Sequence, residues 1–181
     1  MIGKVFTAAV AAIAFAGAAQ AQDNMRDDTR VGPAMGDWEV TLSGNGTSDN
    51  DFDNHSLGLT GSAGKYVSDN VMLGLRQSVN FADIANGDSQ ANFATRGFAD
   101  YVFDLGRWRP YAGLSIGAIY GDNVNDTLAA GPEVGVKYYA DNRTFVYAQA
   151  EYQFTFDDAG DVDDAADDGQ FFYGIGVGFN F

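Results

Sequence analysis

From residue 37 onward, apolar and polar positions alternate with a period of two, the spacing of β-strands rather than the 3.6 of helices. In the last eleven residues one face is Phe171, Tyr173, Ile175, Val177, Phe179 and Phe181, while the other is mostly Gly with Asn180. Pro110 to Tyr120 repeats the pattern with Pro110, Ala112, Leu114, Ile116, Ala118 and Tyr120 on one face. Val146 to Phe156 repeats it again. Eight such segments can be marked, at 37–47, 54–64, 70–81, 92–104, 108–120, 128–140, 144–156 and 170–181.

The breaks between them alternate in kind. Gly64–Asp69, Asp104–Arg107 and Ala140–Arg143 are short, whereas Gly44–Asp53, Ala82–Ala91, Gly121–Asp126 and Asp157–Gly169 are mostly longer and rich in Asp, Asn, Ser and Gly. Short turns alternating with longer loops mark an all-β, eight-stranded antiparallel up-and-down transmembrane β-barrel, with turns periplasmic and loops outside. Strands of ten to twelve residues at about 3.3 Å each, tilted about 40°, rise roughly 25–30 Å, the height of the apolar band in such barrels.

Charge placement tests this reading. The apolar faces of the eight segments carry no Asp, Glu, Lys or Arg. The opposite faces carry Glu39, Arg76, Arg96, Asp100, Arg109, Glu133, Lys137 and Glu151, four of each sign. Buried charge is expensive unless paired, and a balanced set can pair. A soluble barrel would hide its aromatics instead; here they face the other way. Glu133 or Glu151 is expected to pair with Arg76 or Arg96 near mid-height, with Gly74, Gly113, Gly117, Gly135, Gly174 and Gly176 leaving room. Trp38, Tyr101, Phe103, Trp108, Tyr138, Phe179 and Phe181 are expected at the periplasmic interface, and Phe81, Phe93, Tyr120, Phe154, Phe156 and Phe171 at the outer one.

The remaining charges sort by side. The outer segments hold Asp49, Asp51, Asp53, Asp83, Asp88, Asp122, Asp126, Asp157, Asp158, Asp161, Asp163, Asp164, Asp167 and Asp168, with no Lys or Arg. Arg26, Arg30, Lys65, Arg107 and Arg143 fall on the periplasmic side. The net charge of −15 disfavours nucleic acid, whose phosphates it repels.

The beginning of the chain stands apart from this pattern. Lys4 precedes an apolar run from Val5 to Ala19, and Ala19-Gln20-Ala21 is an A-x-A site with the cut before Gln22, so residues 1–21 read as a secretory signal peptide. The run is shorter than the roughly 20 residues of a membrane-spanning helix. Residues 22–36 are polar with Pro33 and read as a flexible periplasmic tail, leaving 37–181 as the barrel. There is no Cys, so an exported fold does without disulfides.

The segments Phe98–Phe103, Arg109–Gly117, Gly131–Tyr139 and Gly178–Phe181 give the chain a resemblance to the small outer-membrane barrels related to OmpX and to the transmembrane domain of OmpA. The resemblance covers most of residues 37–181. It implies residence in the outer membrane of a Gram-negative cell envelope, contact with its lipids and lipopolysaccharide, and a monomer. Periplasmic chaperones and the barrel-assembly machinery are the implied partners in biogenesis. Tyr173, Ile175, Val177, Phe179 and Phe181 fit the C-terminal signal that this machinery reads. No peptidoglycan-binding domain follows Phe181, so wall tethering is not expected.

Function is written less clearly than architecture. The lumen set reads as a static polar plug or, as the resemblance implies, a porin-like narrow path gated by exchange of ion pairs. The acidic outer segments offer a surface for adhesion. Asp157, Asp158, Asp161, Asp163 and Asp164 are carboxylates of the kind Ca²⁺ prefers, but they lack the D-x-D-x-D-G spacing and read as solvated charge. Some barrels of this size modify lipid A with His and Ser. Here the lone His55 and its neighbour Ser56 would point to opposite faces of a strand, so neither catalysis nor a cofactor is expected.

Overall fold

The computed structural model describes residues 30–48, 55–83, 89–121, 127–156 and 169–181. The expected signal segment with its cleavage residues Ala19, Ala21 and Gln22, and the Asp157–Asp168 run, lie outside them. The strands are β1 (Trp38–Ser48), β2 (His55–Tyr66), β3 (Val71–Asp83), β4 (Ser89–Val102), β5 (Trp108–Gly121), β6 (Thr127–Tyr139), β7 (Thr144–Phe156) and β8 (Gln170–Asn180). Each is antiparallel to its sequence neighbours, and β1 pairs with β8, so the ring closes and leaves no open edge.

Several boundaries differ from the sequence pattern, most clearly at two of the expected loops. Gly44–Ser48 belongs to β1 rather than to a loop and pairs with both β2 and β8. Ala82–Asp83 and Ser89–Ala91 likewise pair with each other across β3 and β4. Backbone pairing continues as long as both neighbours run on, whatever the polarity of the side chains. The separations at this end therefore shrink to 49–54, 84–88 and 122–126, and only 157–169 stays clearly longer than the turns at 67–70, 103–107 and 140–143. At the last of these turns, Arg143 and Thr144 donate backbone N–H groups to the Asp141 carboxylate, each at 2.7 Å. Those bonds hold its carboxyl below the ordinary range.

Register keeps the two faces separate around the whole ring. Glu39 stands opposite Gly64, Ser62 opposite Arg76, Arg76 opposite Arg96, and Glu133 opposite Glu151. Phe172 closes the circuit beside Glu151. A one-residue slip in any pair would send its charges outward, so the pattern fixes the register. Pairing lapses at Gly131–Pro132 between β6 and β7, where proline offers no N–H, and resumes on both sides.

The outward face is aliphatic at mid-height: Leu42, Leu75, Leu114, Ile116 and Ile175 are all exposed. Trp38, Tyr101, Phe103, Trp108, Tyr138 and Phe179 are exposed around the turn end, with Trp108 and Tyr138 ring centroids 4.8 Å apart. At the other end Tyr152 packs on Phe154 and Phe171, at 4.9 and 4.8 Å. β2 runs two residues beyond the expected segment, to Tyr66, so one charge, Lys65, lies on this face at the rim. Its ammonium sits 5.6 Å from the Trp38 ring, so its apolar stem lies along an exposed aromatic.

Of the tail expected at 22–36, residues 22–29 lie outside the described residues and 30–36 are not free. Residues 30–36 are bonded to the barrel: Gly32 N–H donates to Asn142 O at 3.1 Å, and Gly36 N–H to Tyr66 O at 2.8 Å. Pro33 is fully buried.

Candidate functional site

All eight charged residues of the lumen parity are at most 4% exposed. They form three groups at successive heights, not one network.

The middle group is built from two like-charged neighbour pairs. Arg76 on β3 stands opposite Arg96 on β4, and Glu133 on β6 opposite Glu151 on β7. Like charges directly opposite in a sheet repel. The ring resolves this by setting the two pairs across the lumen from each other. Arg76 makes a fork with Glu133, at 2.7 and 3.0 Å, and reaches Glu151 at 3.1 Å. Arg96 binds Glu151 at 2.8 Å and Ser78 at 3.0 Å. Ser115 and Gln153 also donate to Glu151. Glu151 is thus the hub, with two guanidinium groups and two neutral donors. The guanidinium planes lie over Phe98 and Phe172, at 4.8 and 4.4 Å from the ring centroids.

The second group lies nearer the turn end. Lys137 Nζ binds Glu39 at 2.6 Å and Tyr66 Oη at 3.1 Å. Tyr66 Oη and Asn180 Nδ2 donate to the other Glu39 oxygen, each at 3.1 Å. Tyr139 donates to Asn180 at 2.6 Å. Between this group and the middle one is a cavity of about 10 Å³, room for roughly one water, lined by Glu39, Arg76, Asp100, Lys137 and Gln149 among others.

Arg109 and Asp100 depart from the expectation of a set that pairs within itself. Arg109 sits at the turn-end mouth and pairs with Asp104, at 2.9 Å, which is partly exposed and outside the lumen set. Asp100 lies against Glu133, carboxyl to carboxyl, and its Oδ1 has no hydrogen-bond partner. The cause is register: Asp100 stands opposite Gly113, whose strand neighbour is Glu133.

The sequence pattern left two features of the lumen unmarked. One is aromatic: Tyr66, Phe98, Tyr111, Tyr139, Phe145, Tyr147 and Phe172 are buried inside. Their parity already placed them there, as in Tyr147-x-Gln149-x-Glu151. The other is a neutral ladder across β1, β2 and β3. Thr41 bonds Ser62 at 2.6 Å, while Thr60 bonds Asn45 and Ser78 at 2.8 and 2.7 Å. Asn45 bonds Asn80 at 2.5 Å.

Tyr173, Ile175, Val177 and Phe179 lie on the outward face of β8, and Phe181 follows it, bonded to Trp38 by both backbone groups. His55 and Ser56 are the first two residues of β2.

A closed ring of eight strands, charged within and aliphatic without, is the fold of the small eight-stranded outer-membrane β-barrels. No family model matches the chain, and no curated protein does. Solved structures do match. The N-terminal β-barrel domain of OprF from Pseudomonas aeruginosa aligns at a TM-score of 0.61 and 23% identity, over 82% of this chain and 100% of that one. OprG of the same organism aligns at 0.61 and 12%, over 86% and 99%. Neisserial surface protein A aligns at 0.60 and 16%, over 83% and 100%.

Proposed function

We propose that the protein resides in the bacterial outer membrane as a barrel whose charged lumen is a narrow ion path, closed at rest. The inversion of polarity carries the first part: the aliphatic side chains face out and the ionised ones face in, which suits lipid and not water. The sharing of Arg76 between two acceptors supports the second. Arg76 is within hydrogen-bond distance of Glu133 and Glu151 together, so it can release Glu151, which Arg96 still holds, without leaving charge unpaired. An eight-stranded interior is filled by side chains by default, so conduction requires that exchange.

Outer-membrane fractionation with a heat-modifiability gel tests residence. The mature protein should pellet with the outer membrane and migrate faster unheated; recovery in the soluble periplasm would overturn the reading. Planar-bilayer recording tests the path. The refolded protein should show brief small steps, and Glu133→Gln, which leaves Arg76 with Glu151 alone, should raise the open fraction. No steps from either protein would leave a static plug. A second reading, surface contact through the acidic outer segments, rests on the Asp run at 157–168 and predicts binding of cationic partners.

A further inference from the structure

The chain ahead of β1 reads Arg30-Val31-Gly32-Pro33-Ala34-Met35-Gly36-Asp37. Gly32 and Gly36 hold φ of +80° and +98°, backbone that side-chain-bearing residues rarely adopt. They turn the chain on either side of the buried Pro33. The result is a strap fastened to opposite walls of the barrel. On one wall Gly32 N–H binds Asn142 in the β6–β7 turn, and Val31 packs against Tyr139, Phe145 and Tyr147. On the other, Gly36 N–H binds Tyr66 at the end of β2, and Met35 N–H binds Asp69 in the β2–β3 turn at 2.9 Å. β2 and β6 are four strands apart in a ring of eight, so the strap crosses the mouth along a diameter.

Arg109 fastens the strap from below. Its Nη2 donates to Val31 O at 2.7 Å; it also meets Gly106 O at 3.3 Å and Asp104 at 2.9 Å, and its guanidinium lies 5.6 Å from the Tyr139 ring centroid. A Cβ at Gly32 would run into the Arg109 guanidinium. The barrel ladders do not pass through residues 30–36, so the strap can leave while all eight strands stay paired. Its hold is a few hydrogen bonds, an exposed ion pair, Arg30 with Asp69 at 3.7 Å, and the burial of Val31 and Pro33. A short segment outside the ladders can open locally at less than the cost of unfolding the barrel.

We propose that residues 30–36 are a built-in closure of the turn-end mouth, latched by Arg109, and that unseating them opens the lumen to solvent on that side. The inference does not depend on whether ions pass the middle of the barrel.

The natural chain has no Cys, so single reporters are unambiguous. Thr41→Cys places a thiol on the cavity that lies on the strap's side of the middle charge group, beneath Glu39 and Lys137, and Asn45→Cys places one further toward the opposite rim. Each is combined with Gly32→Val and, separately, with deletion of residues 30–36. Labelling by a charged methanethiosulfonate reagent is then timed in micelles. Unseating the strap should speed labelling at Thr41→Cys about tenfold or more and leave Asn45→Cys nearly unchanged. No change at Thr41→Cys, or an equal rise at both reporters, would overturn the closure. Hydrogen exchange of the Gly32 amide in the unmodified protein decides the matter even where the variants fail to fold. Protection supports a seated strap, and exchange at free-peptide rates refutes it.

Discussion

Glu151→Gln is expected to be the most damaging single change in the lumen, lowering stability by about 3–5 kcal/mol. The side chain keeps its shape, so packing is not the cause. What changes is the account of charge. Arg76 retains its fork with Glu133, but Arg96 loses its carboxylate and keeps only uncharged neighbours, Ser78 and the Phe172 ring. A buried cation without a counter-charge costs several times what the intact pair contributes. The compensating variant is Arg96→Met with Glu151→Gln, which restores neutrality and leaves an amide for Ser115 and Gln153. It should recover most of the loss, because replacing a buried ion pair with neutral groups is often close to neutral overall. Denaturant unfolding in lipid vesicles, followed by the fluorescence of Trp38 and Trp108, gives both values. If Glu151→Gln unfolds at the wild-type concentration, Glu151 is not the hub of the interior.

How much of this was legible in the sequence follows from which constraints are local. Strand number, parity and the identity of the inward charges were readable because alternation is a property of each strand alone, and burying a charge is costly on every strand. Partner choice was not, because it depends on register accumulated around the ring. Arg76 and Arg109 look alike in sequence, each an inward Arg on a strand. Register sets Arg76 at mid-height beneath two glutamates and Arg109 at the mouth, where its acid is Asp104, five residues back across the β4–β5 turn. The inward tyrosines were misjudged for a different reason. Aromatic residues are common in any strand, so Tyr66 and Tyr147 carried no contrast with their surroundings. Residues 30–36 have the small, turn-forming composition of a loose tail. The signal was the pair Gly32 and Gly36 flanking Pro33, which marks a shaped turn, but the walls that hold it come from turns more than thirty residues away.

Ile175→Arg should cost about 2–4 kcal/mol in a bilayer, although Ile175 is among the most exposed residues of the barrel, at 74%. The size of the effect depends on the solvent outside. On a protein surrounded by water, replacing an exposed isoleucine by arginine typically changes stability by no more than about 0.5 kcal/mol. In hydrocarbon the guanidinium must lose its hydration or drag water and headgroups inward. Ile175 lies midway along β8, between Tyr173 and Val177, so neither interface is close enough to receive the charge easily. Lys65 is the internal comparison. It is also outward-facing, but it sits at the rim beside Trp38, and Lys65→Arg should cost close to nothing. Unfolding of the three proteins in vesicles of matched thickness measures the difference. A depth-dependent loss at Ile175 and none at Lys65 fits a barrel whose solvent is lipid, and equal small effects at both would mean that the aliphatic face of β8 does not meet the bilayer core.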